Sequence, residues 1–510
     1  MRLLRFHVRK HLLLQDLDLR FDRPGRLDTG QYALDFLVGV NGSGKSTLLR
    51  ALMQVFVYLE NGGKRPFEFE LEYELNNNSS PIVVSISELD ESTEQGFSTR
   101  RFKIINKHTN EVLEDRSITS GSVMEYQHVP KRKIVYSTGS EKEWEYLLTG
   151  VQSDLNFVDV PIEVFGDSIQ RSIIELPGSM AKSIAIDKAN DEPTFWLMQA
   201  RNLPIITLCG LLAHLAKENS LIGVLEALKI QSIAGFSLRF RLHPTLSRQD
   251  EYKQLAKFAS QHLCQGTDHL LYFDFSSHPE LAVDLLKEFN NGFELYHRLE
   301  LNTRPDETGQ PTLQQVNIFM QRATRPVNEE EAEESKQSTI PNLFLLDWLS
   351  DGEQSFLGRM ALLAMLDTDD SLILLDEPEV HFNDYWKREI VSLLDAVMSS
   401  HTNHLLITTH SSILLSDVTD DQITVMFKNE DGISQHRRPG VKTFGADPSE
   451  IMTVLFQTEI PSGRLSTESL TVAVTDGNRE TVEGYLQTVG PGMWRFRLKQ
   501  RLGEIDASSD

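Results

Sequence analysis

The chain has 510 residues, 40% of them hydrophobic and 24% charged, with a formal net charge of −24, a soluble globular composition with room for two or three domains. Such acidity argues against wholesale electrostatic attraction to nucleic acid. The longest apolar stretch, Leu203–Ala216, is interrupted by Pro204 and Gly210, too short for a membrane span, and Met1–Gln15 holds too little apolar sequence for a signal peptide. Cys209 and Cys264 lie far apart without metal-ligand spacing, which predicts two buried, small apolar residues in a reducing, cytoplasmic setting.

In chain order, residues 1–38 read as strands: Leu17, Leu19 and Phe21 alternate with Asp18 and Arg20. Phe36-Leu37-Val38 then runs into GVNGSGKST, Gly39–Thr47, and on into the amphipathic Leu48–Met53, which predicts a helix. Phe67–Leu75 alternates apolar residues with glutamate, and Ile82–Ile86, Arg101–Ile105 and Lys133–Tyr136 add further strands of an antiparallel β-subdomain. Between about 150 and 340 the pattern is mixed. Pro193–Glu218, Leu221–Ile230, Glu251–Leu263 and Pro279–Phe289 predict helices, while Phe236–Leu242 and Phe293–Leu301 alternate as strands. The run Glu329–Glu334 reads as a solvated loop. The basic clusters Lys131-Arg132-Lys133 and Arg495, Arg497, Lys499, Arg501 read as solvated faces. The second alternates with Trp494, Phe496 and Leu498, which also suits a strand or a partner-docking tail.

Gly39–Thr47 fits G-x-x-x-x-G-K-[ST] in a strand–loop–helix context. Glycines at Gly39, Gly42 and Gly44 permit the tight turn in which consecutive N–H groups face a polyphosphate, beside Asn41, Ser43 and Thr47. Lys45 is placed to reach the outer phosphates and Ser46 to offer a hydroxyl to Mg²⁺. Much later, Leu349–Gln354 reads LSDGEQ, in which Ser350 and Glu353 form a capping box around Gly352. The apolar run Ser371–Leu375 ends in Asp376-Glu377, a metal-holding carboxylate followed by one placed to act on water. A third apolar run, His404–Thr409, ends in His410.

In this order the four segments resemble the ABC-type ATPases. The long interval between Lys45 and Asp376 resembles the RecF/SMC/Rad50 group and the OLD-like ATPases. DEPEVHF (Asp376–Phe382), ITTHSSILL (Ile407–Leu415), TFGADPSEI (Thr443–Ile451) and KIVYSTGSE (Lys133–Glu141) look most like ATPases of antiphage systems, such as Septu PtuA and the retron-associated ATPases. The resemblance implies an α/β fold: an ABC-type P-loop ATPase core with an antiparallel β-subdomain and a large mixed, mainly helical insertion. It divides the chain into 1–150 and 341–460 for the core, 151–340 for an insertion with partner or oligomer contacts, and 461–510 for a docking tail.

It further implies ATP and Mg²⁺ as ligands, Asp376 and Ser46 on the metal, Glu377 acting on water and His410 sensing the γ-phosphate. Ser350, Gly352 and Glu353 would close the nucleotide of a second subunit, giving a homodimer or larger oligomer. His381 falls where that group's D-loop crosses the dimer, and reads equally as plain surface; Gln127 is the candidate Q-loop glutamine. A TOPRIM nuclease domain, known from OLD-type proteins, has no counterpart in 460–510, where Asp476 lacks an Asp-x-Asp partner. The expected function is a defence ATPase regulating a separate nuclease or toxin, with nucleic acid as a trigger or target and no membrane. A RecF/SMC-like repair ATPase is the alternative, and a transporter ATPase comes last.

Overall fold

The computed structural model describes residues 1–21, 32–77, 80–89, 99–137, 144, 147, 194–217, 221–242, 250–305, 309–322, 343–398, 401–456 and 463–507. The acidic run Glu329–Glu334 and the end of the Lys133–Glu141 segment lie outside these residues. Strands β1 (Arg2–His11), β2 (Leu14–Arg20) and β3 (Ala33–Val38) precede helix α1 (Lys45–Asn61). Then come β4 (Phe69–Asn77), β5 (Ser80–Glu88), β6 (Thr99–Asn106), β7 (Val112–Thr119), β8 (Arg132–Ser137) and β9 (Phe195–Met198). Next are α2 (Leu203–Lys217), α3 (Ile222–Ala227), β10 (Ile230–Arg241), α4 (Asp250–Ala256), β11 (Gln261–Gln265), β12 (Asp268–Asp274), α5 (Leu281–Glu288), α6 (Gly292–Thr303), β13 (Leu313–Arg322) and β14 (Leu343–Leu345). The chain continues through α7 (Asp351–Ala364), β15 (Ser371–Asp376), α8 (Asp384–Met398), β16 (His404–Thr409), α9 (Ser412–Leu415), β17 (Ile423–Lys428), β18 (Ser434–Arg437) and α10 (Pro448–Leu455). Helices α11 (Arg464–Thr475), α12 (Arg479–Thr488) and α13 (Met493–Ala507) complete the described elements.

Among the described residues one 13-stranded sheet runs β7-β6-β5-β4-β1-β2-β18-β17-β3-β16-β15-β8-β9. The arm from β7 to β2 is antiparallel throughout. From β17 through β3, β16, β15 and β8 to β9 every pairing is parallel. Parallel strands are covered on both faces and are therefore apolar along their middles on both sides. Phe36, Tyr136, Ile373, Leu375, Leu405 and Ile407 point into one core, and Leu37, Val135, Leu372, Leu374 and Leu406 into the other. Helix α1 fills the second core with Leu48, Leu52, Val55 and Leu59, while α2, α7 and α8 fill the first. In β4 the expected alternation holds: Phe69, Leu71, Tyr73 and Leu75 are buried between half-buried glutamates.

A second, antiparallel sheet runs β11-β12-β10-β13-β14 and shares the first core through Phe236, Leu238, Phe273 and Ile318. Residues 195–217, counted by sequence in the 151–340 unit, supply the edge strand β9 of the main sheet and the helix α2 that packs on α7. Helices α11 to α13 close on a small core of their own, around Leu470, Val482, Trp494 and Leu498. Among the described residues no helix is long and apolar enough to cross a membrane.

Several local expectations are corrected. Phe293–Leu301 is helix, not strand: Asn291 caps it by accepting from the Glu294 N–H, and Phe293, Tyr296 and Leu299 bury at helical spacing. Pro193–Glu218 is not one helix; Phe195–Met198 pairs with β8, and the helix begins only beside Pro204, where a missing N–H costs nothing. The helix expected over Glu251–Leu263 stops at Ala256 and gives way to strand β11. Trp494 and Leu498 bury one helical turn apart on α13 rather than alternating along a strand. Lys131–Lys133 is not a solvated face, since Arg132 and Lys133 are buried at the start of β8 and pair with Asp367 and Glu60. Cys209 is buried, its thiol pKa pushed up by burial, whereas Cys264 is exposed because β11 is an edge strand with every residue facing solvent.

Candidate functional site

Parallel register brings the chemistry-bearing residues to one edge. Asp376 lies beside Thr408 and Ser137, and Thr409 beside Val38. The loops that leave the carboxyl ends of β3, β15 and β16 therefore converge, the usual place for ligands of parallel sheets. Gly39–Thr47 turns from β3 into α1. Two of its glycines are required sterically. At Gly39, φ is +155° and a Cβ would fall 2.1 Å from the Met426 carbonyl oxygen. At Gly44, φ is +103° and a Cβ would fall 2.5 Å from Ser434 Oγ.

Lys45 is buried and donates from Nζ to the carbonyls of Gly39 at 2.9 Å and Val40 at 3.3 Å. Burial pushes its pKa below the ordinary lysine value, against the opposing pull of Glu377, Asp376 and Glu379. Helix α1 starts with no side-chain cap and no acidic residue in its first turn. The buried Ser43 Oγ has no hydrogen-bond partner. Free donors, a helix N-terminus and a buried cation suit a polyphosphate. Ser46 Oγ donates to Asp376 Oδ1 at 3.0 Å, so a hydroxyl and a carboxylate are paired, as Mg²⁺ prefers.

Behind Asp376 stands Thr408, whose hydroxyl donates to Asp376 Oδ1 at 2.6 Å and accepts the Glu377 N–H at 2.9 Å. Glu377 holds φ at +51°, an uncommon conformation for a residue with a Cβ. Its carboxylate lies 2.8 Å from His410 Nε2. The adjacent His410 imidazole, followed by the charge of Lys45, holds Glu377 below the usual carboxylate range although burial opposes them. Glu379 accepts the His410 N–H at 3.0 Å and the Thr409 hydroxyl, leaving its Oε2 buried without a partner.

Ser350 caps α7. Its Oγ accepts the Glu353 N–H at 3.3 Å, and Glu353 Oε2 accepts the Ser350 N–H at 2.8 Å, completing the capping box. Gly352 packs against the loop after β15, where a Cβ would lie 2.7 Å from the His381 carbonyl oxygen. Among the described residues no hydrogen bond or ion pair joins Ser350, Gly352 or Glu353 to Gly39–Thr47. Gln127 lies on the turn leading into the amino end of β8, away from the converging loops, and its amide donates to Glu125 at 2.8 Å. The structure thus gathers Gly39–Thr47, Asp376, Glu377 and His410, sets Ser350, Gly352 and Glu353 apart beside His381, and leaves Gln127 outside.

Sequence reasoning missed Thr408 and Glu379. The signal for Thr408 was available: hydroxyl residues closing an otherwise apolar strand have to aim at something polar. Glu379 had none, because its partners come from a different strand.

Residues 274–416 match the family described as "AAA domain, putative AbiEii toxin, Type IV TA system". No curated protein matches the chain. Among solved structures, the SMC head domain from Thermotoga maritima is 13% identical over 86% of this chain and 99% of its own, at a TM-score of 0.32. The SMC head bound to the C-winged helix domain of ScpA is 10% identical over 86% and 97%, at 0.28. The SMC head with an extended coiled coil, bound to the C-terminal domain of ScpA from Pyrococcus furiosus, is 10% identical over 86% and 96%, at 0.31. The fold assignment rests on the chain's own topology: strand β16 lies between the strand that leads into Gly39–Thr47 and the strand that ends in Asp376, in an α/β core with a parallel sheet.

Proposed function

We propose that the chain binds ATP with Mg²⁺ on Gly39–Thr47 and hydrolyses it, and that two copies share each site. The observation that carries the reading is the convergence of two contacting pairs, Ser46 with Asp376 and Glu377 with His410, on the loop that holds Lys45, whose charge Asp376 and Glu377 both feel. Lys45 exchanges its backbone carbonyl acceptors for phosphate oxygens, a stronger charge-assisted partner. Ser46 and Asp376 would hold Mg²⁺, which when bound would neutralise phosphate charge. Glu377, kept ionised, orients a water and accepts its proton as the water oxygen bonds to the γ-phosphorus and the bond to the ADP oxygen breaks. His410, 2.8 Å from the Glu377 carboxylate, would sense the terminal phosphate.

By the resemblance of LSDGEQ to the ABC-type segment, Ser350, Gly352 and Glu353 close the nucleotide of a second copy. Loss of the γ-phosphate then removes contacts across that interface and turns hydrolysis into a conformational switch. The resemblance of DEPEVHF and ITTHSSILL to antiphage ATPases, together with the toxin-related family matched by residues 274–416, favours a cytoplasmic defence ATPase regulating a separate nuclease or toxin subunit. We assign the contacts with that subunit to the β10–β14 sheet unit and the α11–α13 cluster, which displays Leu465, Val472 and Phe496 to solvent.

Lys45→Ala should lower ATP affinity by about 30-fold or more, the worth of one or two charge-assisted bonds. Glu377→Gln should bind ATP normally and turn over at least about a hundredfold more slowly. Unchanged affinity in the first variant, or wild-type turnover in the second, contradicts the reading. Tight, salt-dependent DNA binding by the purified protein without any effector would favour the RecF/SMC-like role instead.

A further inference from the structure

Arg359 lies two turns into α7, the helix that begins at Ser350. Its side chain is buried, yet among the described residues no carboxylate pairs with it. Instead its Nη1 donates to the carbonyl oxygen of Pro378 and, at 3.0 Å, to that of Val380. The guanidinium lies flanked by two rings, 5.1 Å from the centroid of Tyr136 and 4.7 Å from that of Phe382. Its Nε has no partner. A buried charge satisfied only by neutral groups is an expensive choice where a leucine or methionine would pack.

The segment it grips is the one that carries the water-activating carboxylate. Between Glu377 and Phe382 the chain turns twice through positive φ on non-glycine residues, +51° at Glu377 and +73° at His381. Internal N–H bonds from Val380 to Glu377 and from Phe382 to Glu379 close the turn but do not fix it to the rest of the protein. Strained backbone persists only where its surroundings hold it. The end of β16 holds the first half of the loop, through Thr408 on the Glu377 N–H and through Thr409 and His410 on the Glu379 carboxylate, and two parts of α7 hold the second half. Gly352 backs onto the His381 carbonyl at its first turn, and Arg359 binds the Pro378 and Val380 carbonyls farther along.

We infer that Arg359 is a positioning residue: it holds 377–382 in the conformation that sets Glu377 against His410, and it ties that loop rigidly to the helix whose first turn, Ser350–Gly352, meets the second copy. Docking at Ser350 in one chain and water activation at Glu377 in the same chain are thereby coupled through one helix. The inference rests on the ATPase reading above.

The test uses the full chain with Arg359→Met and Arg359→Lys, and measures turnover, affinity for a fluorescent ATP analogue and the unfolding midpoint. Arg359→Met should lower kcat at least tenfold while the dissociation constant stays within twofold. Arg359→Lys keeps one cationic donor and should recover part of the loss. If the methionine variant does not fold, the lysine variant decides, with a threefold or greater fall in kcat at unchanged affinity. Wild-type kcat in the folded variants overturns the inference, as does a parallel loss of affinity and turnover that tracks the unfolding midpoint. Glu377→Gln is measured alongside. If it turns over at the wild-type rate, the ATPase reading has failed; if it is inactive while the Arg359 variants are normal, only the positioning role has failed.

Discussion

His410 Nε2 lies 2.8 Å from the Glu377 carboxylate, joining the ends of two adjacent parallel strands across the mouth of the P-loop. The contact holds the carboxylate's pKa below its ordinary value, with the charge of Lys45 acting in the same direction. It also gives the site a measurable signature in the pH dependence of stability.

A carboxylate whose folded pKa is depressed adds stability that is present above its unfolded pKa, about 4.3 for glutamate, and lost as pH falls through the folded value. Glu377 is such a group, depressed first by the adjacent His410 imidazole and then by Lys45. The wild type should therefore exceed Glu377→Gln in stability most near neutrality. The two should converge as the pH drops below about 4. Urea midpoints measured down to about pH 3 check this; profiles that stay parallel would contradict it.

Asp376 accepts from Ser46 and Thr408 through one oxygen, Oδ1. Asparagine keeps that acceptor, so Asp376→Asn should fold normally with its unfolding midpoint little changed. It loses the negative charge that Mg²⁺ needs. ATP affinity should consequently become insensitive to replacing Mg²⁺ with a chelator, whereas the wild type should bind more weakly without the metal. A variant that still gains affinity from Mg²⁺ would remove Asp376 from the metal site.

Gly39→Ala places a methyl group within 2.1 Å of the Met426 carbonyl oxygen at a φ that alanine avoids. The backbone between β3 and α1 has to move away from β17. A cost of about 2–3 kcal/mol is expected from strain and overpacking together, read as a lower denaturation midpoint, with nucleotide binding lost as well. An alanine variant as stable as the wild type and still binding ATP would mean that the turn tolerates another path.

What the sequence made legible follows from how local the constraints are. Gly39–Thr47 and Asp376-Glu377 were readable because phosphate and metal chemistry demand fixed residue types within a few positions, on a strand whose apolar run is itself visible. The capping box at Ser350 and Glu353 was readable for the same reason. Glu379 and Arg359 were not, because their partners, Thr409 and Pro378–Val380, are defined only by strand order and helix packing. Phe293–Leu301 misled because Phe293-Glu294-Leu295 and Leu299-Glu300-Leu301 alternate at its two ends; Asn291 as a cap, and the burial of Glu300 against Arg304, decide for helix. Buried Arg132 and Lys133 misled for a different reason: their compensating carboxylates, Asp367 and Glu60, are remote in sequence.

The central claim is that one chain contributes half of each ATP site, and mixing two inactive variants tests it most directly. Lys45→Ala should lack a working P-loop, and Ser350→Arg should be unable to close the site of its neighbour. Each alone is expected to show no ATPase activity. In an equimolar mixture, mixed dimers would hold one site built from the intact P-loop of one chain and the intact Ser350 turn of the other. Activity should return to about a quarter of the wild-type level if the chains exchange freely in a symmetric dimer. A mixture as inactive as its components, with mixed dimers demonstrated by mass, would contradict the shared site.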